Sequence, residues 1–554
     1  MISRKHRIVA LALVLAMTMI AALSGCTAGG GGGDDGYVMD PVLNEIGSDT
    51  ICKEKVNLSV MMSQNGNVTD YETNKYTLQV EKKGNIEFNF NLLPSADAET
   101  KINLTLSSGT DLPDVLISNL DDNTVSTYGE AGTFVALNKY YEHSSEYLVP
   151  QLEKLKKDGG LDVMKYITMS DGNIYTIPRY NESLQNEFST LLWVYKPWLT
   201  KLNIKEPTTL EEFKSMLQAF KDNDANGNGS KADEIPMIDY ADGSMRVLML
   251  QAFIKTGVDD IAVMDDGKLA LSYMTDEYKE YLKYMKSLVD AGLYDKTSFS
   301  QDQGTLKTLL NGETPKVGVY QGTSTSLLTA GSARREEYVP IYLDNGDNNT
   351  LYYTKTMPNN IYFITSSCEH PEVAFRIGDY MCSKDMTIWS RWGEKGTDWT
   401  VPAEGTKGMY DFLGYPAVLE PVLHWGTVQN SHWQNTTPGF RTTDISLGMT
   451  SSDSSQQAKA DAIKLAYDRY GKDKFIPEES SRAYKLIYTS DELSERSDIL
   501  TAVDSYVKQM YYSFVTGEKD IDGDWDSYIK ELKSMNSDRL LEISQDAYDR
   551  MNKE

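Results

Sequence analysis

Apolar and polar positions alternate over Val56 to Met62, Ile86 to Leu92 and Val115 to Ser118, with Val and Ile among the apolar ones. Period two with β-branched residues predicts short strands. Between the last two of these, Glu99 to Ser108 shifts to helical spacing and stops at Gly109, a residue suited to ending a helix. The clearest helical stretch is 208-TTLEEFKSMLQAFKD-222, where Leu210, Phe213, Met216, Leu217 and Phe220 fall on one face. Thr208 with Glu211, or Thr209 with Glu212, offers a capping box at its start. Further helices are predicted over 275-TDEYKEYLKYMKSLVDAG-292, closed by Gly292, and over Pro371 to Cys382, with proline in the first turn. From about Ser455 the chain reads as helical with mixed charge. Strands alternating with helices predict α/β layers, and a chain of this length exceeds one core, so at least two domains are expected.

The first residues follow a different pattern. Arg4, Lys5 and Arg7 precede an uncharged apolar run, Ile8 to Ala22, shorter than the roughly 20 residues a membrane span requires. Leu23-Ser24-Gly25-Cys26 follows at once. Basic, apolar and small-residue regions in that order are a signal peptide, and the Cys after Leu-Ser-Gly resembles the bacterial lipobox, which implies lipidation at Cys26. The glycine-rich stretch from Thr27 to Gly36 reads as a flexible leash. The sequence thus predicts a signal peptide over 1–25, a lipid-anchored tether over 26–52 and a folded part from about Lys53. Lipid chains anchor rather than span.

Charge narrows the partners. Residues 1–25 hold three basic residues and no acidic one, so their removal takes the net charge from −27 to −30. A surface this acidic repels polyphosphate, which argues against nucleic acid. With Cys26 lipidated, Cys52, Cys368 and Cys382 remain. An odd number gives no disulfide framework, although a Cys368–Cys382 bridge stays open beside the simpler reading of buried thiols.

One loop carries metal-type chemistry. In 221-KDNDANGNGSKADEIPM-237, oxygen-bearing side chains alternate with glycines. Calcium takes six to eight oxygens and needs glycine for the sharp turn. Starting the loop at Asp222 puts Gly227 at position six and Asp233 at twelve, where an EF-hand prefers Glu. Starting at Asp224 makes Asn226, Asn228 and the Ser230 carbonyl the next ligands, and both registers stay open. The competing reading is a polar turn. A single unpaired loop points to structural Ca²⁺ rather than a sensor.

Several stretches resemble one family, the extracellular solute-binding lipoproteins of ABC importers, in the branch that takes up oligosaccharides. They are 103-NLTLSSGTDLPDVLIS-118, 171-DGNIYTIPRY-180, 207-PTTLEEFKSMLQAFKDNDANGNGSKADEIPM-237, 274-MTDEYKEYLKYMKSLVDAGLYDKTSFSQD-302, 360-NIYFITSSCEHPEVAFRIGDYMCSKD-385 and 392-WGEKGTDWT-400. The resemblance implies a two-lobe α/β fold like that of periplasmic binding proteins, with hinge crossings and a ligand cleft between the lobes. It implies Ca²⁺ at Asp224, Asn226, Asn228, Ser230, Asp233 and Glu234, and permease subunits as partners of a monomeric receptor. Ser230 looks like an insertion against the family loop, and 195-YKPWL-199 stands where the family often has Arg-x-Asp-Trp-Leu. The lobes are expected at 53–178 plus 352–415 and 179–351 plus 416–554.

A sugar presents an apolar C–H face and a hydroxyl rim, so aromatic rings and polar groups are the expected contacts. Trp193, Trp399, Trp425 and Trp433 are candidates, with Tyr175 and Arg179 at the first expected crossing. A carbohydrate-active lyase or hydrolase is the rival class, since glycoside hydrolysis needs only paired carboxylates. No His-Glu-x-x-His helix or Gly-x-Ser-x-Gly elbow is present, and no enzyme is expected. A signalling or adhesion lipoprotein is the third class.

Overall fold

The computed structural model describes residues 37–158, 160–329, 331–423, 426–450, 454–471 and 481–553. The signal peptide, Cys26 and the leash as far as Gly36 lie outside them. In chain order the strands are β1 (Val56–Ser63), β2 (Ile86–Leu93), β3 (Val115–Leu120), β4 (Ile177–Asn181), β5 (Leu191–Tyr195), β6 (Ile235–Met237), β7 (Ile261–Val263) and β8 (Leu269–Leu271). They continue as β9 (Val317–Gly322), β10 (Tyr338–Ile341), β11 (Asp344–Asn345), β12 (Asn348–Asn349), β13 (Asn359–Ile364), β14 (Trp399–Thr400), β15 (Glu420–Pro421) and β16 (Gly439–Arg441).

Two sheets organise the fold. The larger has the order β16-β4-β13-β3-β1-β2, and the smaller β10-β5-β9-β6. In the larger, β1 pairs in parallel with β2 and β3, β13 runs antiparallel to both β3 and β4, and β16 is parallel to β4. Five of its six strands therefore end on one rim. In the smaller sheet β5 opposes β9 and β10, while β6 is parallel to β9. The chain leaves β4 at Asn181 and enters β5 at Leu191, then returns from β10 to β13. These passages bring the strand ends of the two sheets to the same crossing region.

The helices follow their patterns. Leu210–Asp222 buries all five predicted apolar residues. Thr209 Oγ1 accepts from the Glu212 N–H at 3.2 Å, while the Glu212 carboxylate takes the Thr208 N–H at 2.8 Å, which selects the Thr209 register. Asp276–Asp290 is capped by Thr275, Pro371–Met381 starts on its proline, and Ala98–Ser108 ends at Gly109 with φ +63°. Helices Ser454–Tyr470, Ser490–Thr516, Ile521–Ser534 and Ser537–Asn552 make up the C-terminal part.

Two expectations need correction. The tether is shorter than the expected 26–52: Leu43 and Cys52 are fully buried, bridge each other in antiparallel fashion, and sit in the unit that begins at Asp40. His370 Nδ1 meets Asp40 Oδ2 at 2.8 Å. Few apolar residues lie over 40–52, and the packing is carried by Leu43, Ile51 and Cys52 alone, too few to show a period. The expected division at residue 416 also fails for Gly439–Arg441, which extend the larger sheet through β4. A three-residue edge strand is too short to show a period. Cys52, Cys368 and Cys382 are free thiols, and burial pushes the Cys52 and Cys368 thiols up to about 11 and about 12.

Candidate functional site

Open α/β folds receive ligands beyond the C-terminal ends of their strands. Here those ends lie where the chain crosses between sheets. A cavity of about 390 Å³ opens at the crossings, lined by Tyr180, Glu182, Glu187, Tyr353, Tyr415 and Tyr467 among others. Tyr180 comes from β4, Glu182 and Glu187 from the passage between β4 and β5, and Tyr353 from the passage into β13. A second cavity, about 720 Å³, continues from it past Glu182, Tyr415 and Thr443 to the helix Leu148–Lys157. The two volumes lie within the range of small-molecule sites, about 300–1,000 Å³.

The lining mixes fixed carboxylates with accessible rings. Glu182 accepts from the Tyr180 hydroxyl at 2.9 Å and from the Thr443 N–H at 2.6 Å, and it also takes the Thr443 hydroxyl. Glu187 is buried and accepts from the Thr356 N–H at 3.2 Å, with burial holding its carboxyl above the usual range. Its backbone carbonyl takes the Thr354 N–H at 2.7 Å, so the two crossing segments are joined to each other. Buried Lys459 donates to the Phe188 carbonyl, and burial brings its amine down to about 7. Tyr180 and Tyr353 are core-buried, whereas Tyr415 and Tyr467 keep part of their surface exposed.

The predicted aromatics are distributed otherwise. Trp433 is fully buried among Tyr71, Tyr76, Phe88 and Phe90 at centroid distances of 5.3–6.2 Å, with its N–H on Thr77 Oγ1. Trp193 is fully buried in the core around the smaller sheet and donates to the Gly322 carbonyl at 3.0 Å. A ring with no exposed face cannot stack on a sugar, so both are core residues here. Trp399 is 8% exposed, donates to the Gly393 carbonyl and carries Lys395 over its ring. Tyr175 is buried beside Gly129, with its hydroxyl on Asp171 Oδ2 at 2.6 Å. Trp425 lies outside the described residues. Arg179, within β4, is part-exposed and donates to the Asn435 carbonyl at 2.8 Å, and it is not among the lining residues of either cavity. The crossing-segment tyrosines and glutamates escaped sequence reasoning. Each sits singly in an aperiodic stretch, and only knowing where the chain crosses singles them out.

The Asp-Asn-Gly loop folds as a tight nest around its own carboxylates. Asp224 accepts from the N–H groups of Gly227 at 2.7 Å, Asn228 at 3.0 Å and Gly229 at 3.0 Å. Gly227 and Gly229 have φ of +82° and +90°, which other residues rarely adopt. Buried Ala225 anchors the loop to the core. Asp233 Oδ1, Glu234 Oε2 and Asn226 Nδ2 are buried without a hydrogen-bond partner. Orphaned buried carboxylate oxygens are costly, and a divalent cation satisfies them. Among the described residues, no three His, Cys, Asp or Glu side chains form a metal-binding group. Asn226 and Asn228 lie in the same loop, with Asn228 Nδ2 on Asp233 Oδ2 at 2.8 Å, and oxygen donors of these types are the ones calcium takes.

The family model for bacterial extracellular solute-binding proteins matches residues 75–397, more than half of the chain. The chain belongs to that family. This solute-binding protein is 25% identical over 552 residues to the fructooligosaccharide ABC transporter substrate-binding protein FusA of Streptococcus pneumoniae, covering 97% of each chain. A solved extracellular solute-binding protein from Bifidobacterium longum subsp. infantis superposes with TM-score 0.73 at 20% identity, covering 91% of this chain and all of that one. The S. pneumoniae FusA EF-hand mutant in complex with fructo-nystose gives TM-score 0.66 at 22% identity, covering 89% and 99%. The α/β fold is thus that of periplasmic-type binding proteins, and the solute-binding protein is a binder rather than an enzyme.

Proposed function

We propose that the protein is a lipid-anchored receptor, held at the outer face of the cell membrane through Cys26. It captures an oligosaccharide and presents it as a monomer to the permease subunits of an ABC importer. The observation that carries this reading is the crevice at the crossings, with part-exposed Tyr415 and Tyr467 beside the hydrogen-bonding Glu182 and Thr443. Rings for sugar faces and polar groups for the hydroxyl rim occupy one groove. Arg179, on the strand that ends at the crevice, and Trp425 complete the set we assign to ligand. The relation to a fructooligosaccharide-binding relative supports the ligand class. Structural Ca²⁺ held by Asp224, Asn226, Asn228, the Ser230 carbonyl, Asp233 and Glu234 pins the polar loop without switching anything.

Closure of two halves over a solute makes two measurements decisive. An oligosaccharide panel screened by thermal shift should give a hit, and solution scattering should then show compaction with the sugar recovered intact. Stabilisation without compaction, or a chemically altered sugar, would count against the reading.

A further inference from the structure

Besides the covalent crossings, the two halves meet at a seam made by the segment that leads into the helix Ser490–Thr516. Within this segment, residues 481–489, Ala483, Leu486 and Tyr488 are buried in the core built on the smaller sheet. It is fastened to that half along its length. The Ala483 carbonyl takes the Val258 N–H at 2.7 Å, and Gly257 passes so close that a Cβ there would lie 2.1 Å from the same oxygen. Arg550 holds the Ile487 carbonyl at 3.2 Å, and Arg496 lies over the Tyr488 ring at 4.5 Å. Lys485 is thereby carried on a firm support, and its side chain reaches the other half. Its Nζ meets Asp122 Oδ1 at 2.9 Å and donates to the Tyr166 carbonyl at 3.1 Å. Asp122 is also held in place. It opens the helix Asp122–Glu130 just after β3 and takes Asn360 Nδ2 of β13 at 2.7 Å.

Further bonds across the seam are polar as well. Ser490 donates to Glu130 Oε1 at 2.7 Å, at the far end of the same helix, and Lys165 donates to Asn552 Oδ1 at 2.9 Å. A cavity of about 240 Å³ lies between the two faces, lined by Lys165 and Tyr166 on one side and by Arg482, Lys485, Tyr548 and Met551 on the other. An interface built to stay shut fills such space with interdigitated side chains. Here the Lys485 and Asp122 side chains are 14% and 19% exposed, so most of their hydration is given up when they meet and regained when they part. Lost attraction is offset by recovered hydration, so the contact makes and breaks at small net cost. Fixed partners, polar bonds and a cavity in the seam belong to a contact that opens and shuts with the halves.

We propose that Lys485 and Asp122 form a latch between the halves, which closes with the crevice and slows the release of what it holds. The latch rests on the reading of the protein as a receptor whose halves close over a solute. Its test begins without ligand. A water-soluble carbodiimide turns a carboxylate into an O-acylisourea, which an amine in contact with it converts to an amide with loss of the urea, so only touching groups are joined. In the wild-type chain, peptide mass spectrometry should find Asp122 joined to Lys485, and Lys485→Met should remove that peptide. Solution scattering should give a linked chain more compact than the unlinked one, and added salt should expand only the unlinked chain by screening the ion pair. Neutral kestose then serves as the probe of release. It should leave Lys485→Met, and separately Asp122→Asn, roughly 10-fold faster than the wild type. The double variant should be no faster than either, as for two sides of one contact, and Lys485→Arg, which keeps the charge, should release near the wild-type rate. No linked peptide, or a linked chain that scatters like the unlinked one at every salt concentration, would overturn the latch. A linked chain more expanded than the unlinked one would also overturn it, making the pair a prop for the open form. Additive effects of Lys485→Met and Asp122→Asn on kestose release would make the two residues separate ligand contacts and not a latch. Kestose giving no heat would count against the receptor reading, while the scattering of the linked chain would still decide the latch.

Discussion

The halves built on the two sheets are held together by different means. Around the larger sheet, closure depends on partners far apart in sequence: Trp433 docks among rings from residues 71–90, and Gln429 bridges to Val68. Around the smaller sheet, one largely apolar core gathers Trp198, Phe213, Phe220, Leu282 and Val319 from periodic elements within residues 191–322, places the Asp-Asn-Gly loop at its edge through Ala225, and is covered by Tyr511, Phe514 and Tyr528 of the C-terminal helices. Distance along the chain therefore decides what a sequence reader sees. Local packing writes itself into periodicity, whereas closure by a distant segment leaves only isolated aromatics in an aperiodic loop.

Four experiments break or sharpen this contrast. Trp433→Ala should cost about 4 kcal/mol in denaturant unfolding, and hydrogen exchange should speed in β1 and β2 while β5 and β9 keep their protection. Equal acceleration in both sheets would mean the halves unfold as one. His432 offers the next effect. Above pH 6.5 its imidazole is neutral in both states. Between about 6.5 and about 4 only the unfolded chain takes the proton, so stability falls with pH over that window. The loss amounts to about 3 kcal/mol, and His432→Gln should remove it from the pH profile of unfolding. Chelation addresses the other half: with calcium at 100 times its Kd, its removal should cost about 2.7 kcal/mol. Glu234→Gln should abolish that dependence, with exchange changes concentrated near Leu210–Asp222. An unchanged melting curve with no metal retained would return the loop to a plain polar turn. Smallest, Tyr415→Ala should weaken saccharide binding by about 2 kcal/mol in calorimetry and leave the melting of the free protein nearly unchanged.

Much of the fold was legible from pattern alone. The strands at 56, 86 and 115 begin where alternation begins, and Leu210–Asp222 buries the five residues its spacing selects. The site was less so. Arg179 was singled out because it lies near a strand end at a crossing, and the calcium-type loop because its oxygens are contiguous. Tyr353, Tyr415 and Glu187 were missed because their meeting is made by topology rather than spacing. Trp433 was misread for a related reason: polar neighbours in sequence do not imply polar neighbours in space, and it keeps its polar flanks while its ring enters the core; Trp193 lies in the apolar run 191-LLWVY-195, whose neighbours already favour a buried strand.

The Trp433–Thr77 hydrogen bond spans 356 residues, and its consequence is temporal. Synthesis proceeds from the N-terminus, so β1, β2 and β3 emerge long before the tryptophan that seals them and the edge strand that finishes their sheet. Loop closure on that scale makes the step slow. The nascent chain therefore keeps its first half open until most of the protein has been made, and a chaperone that shields residues 56–120 during that interval has a defined period in which to act.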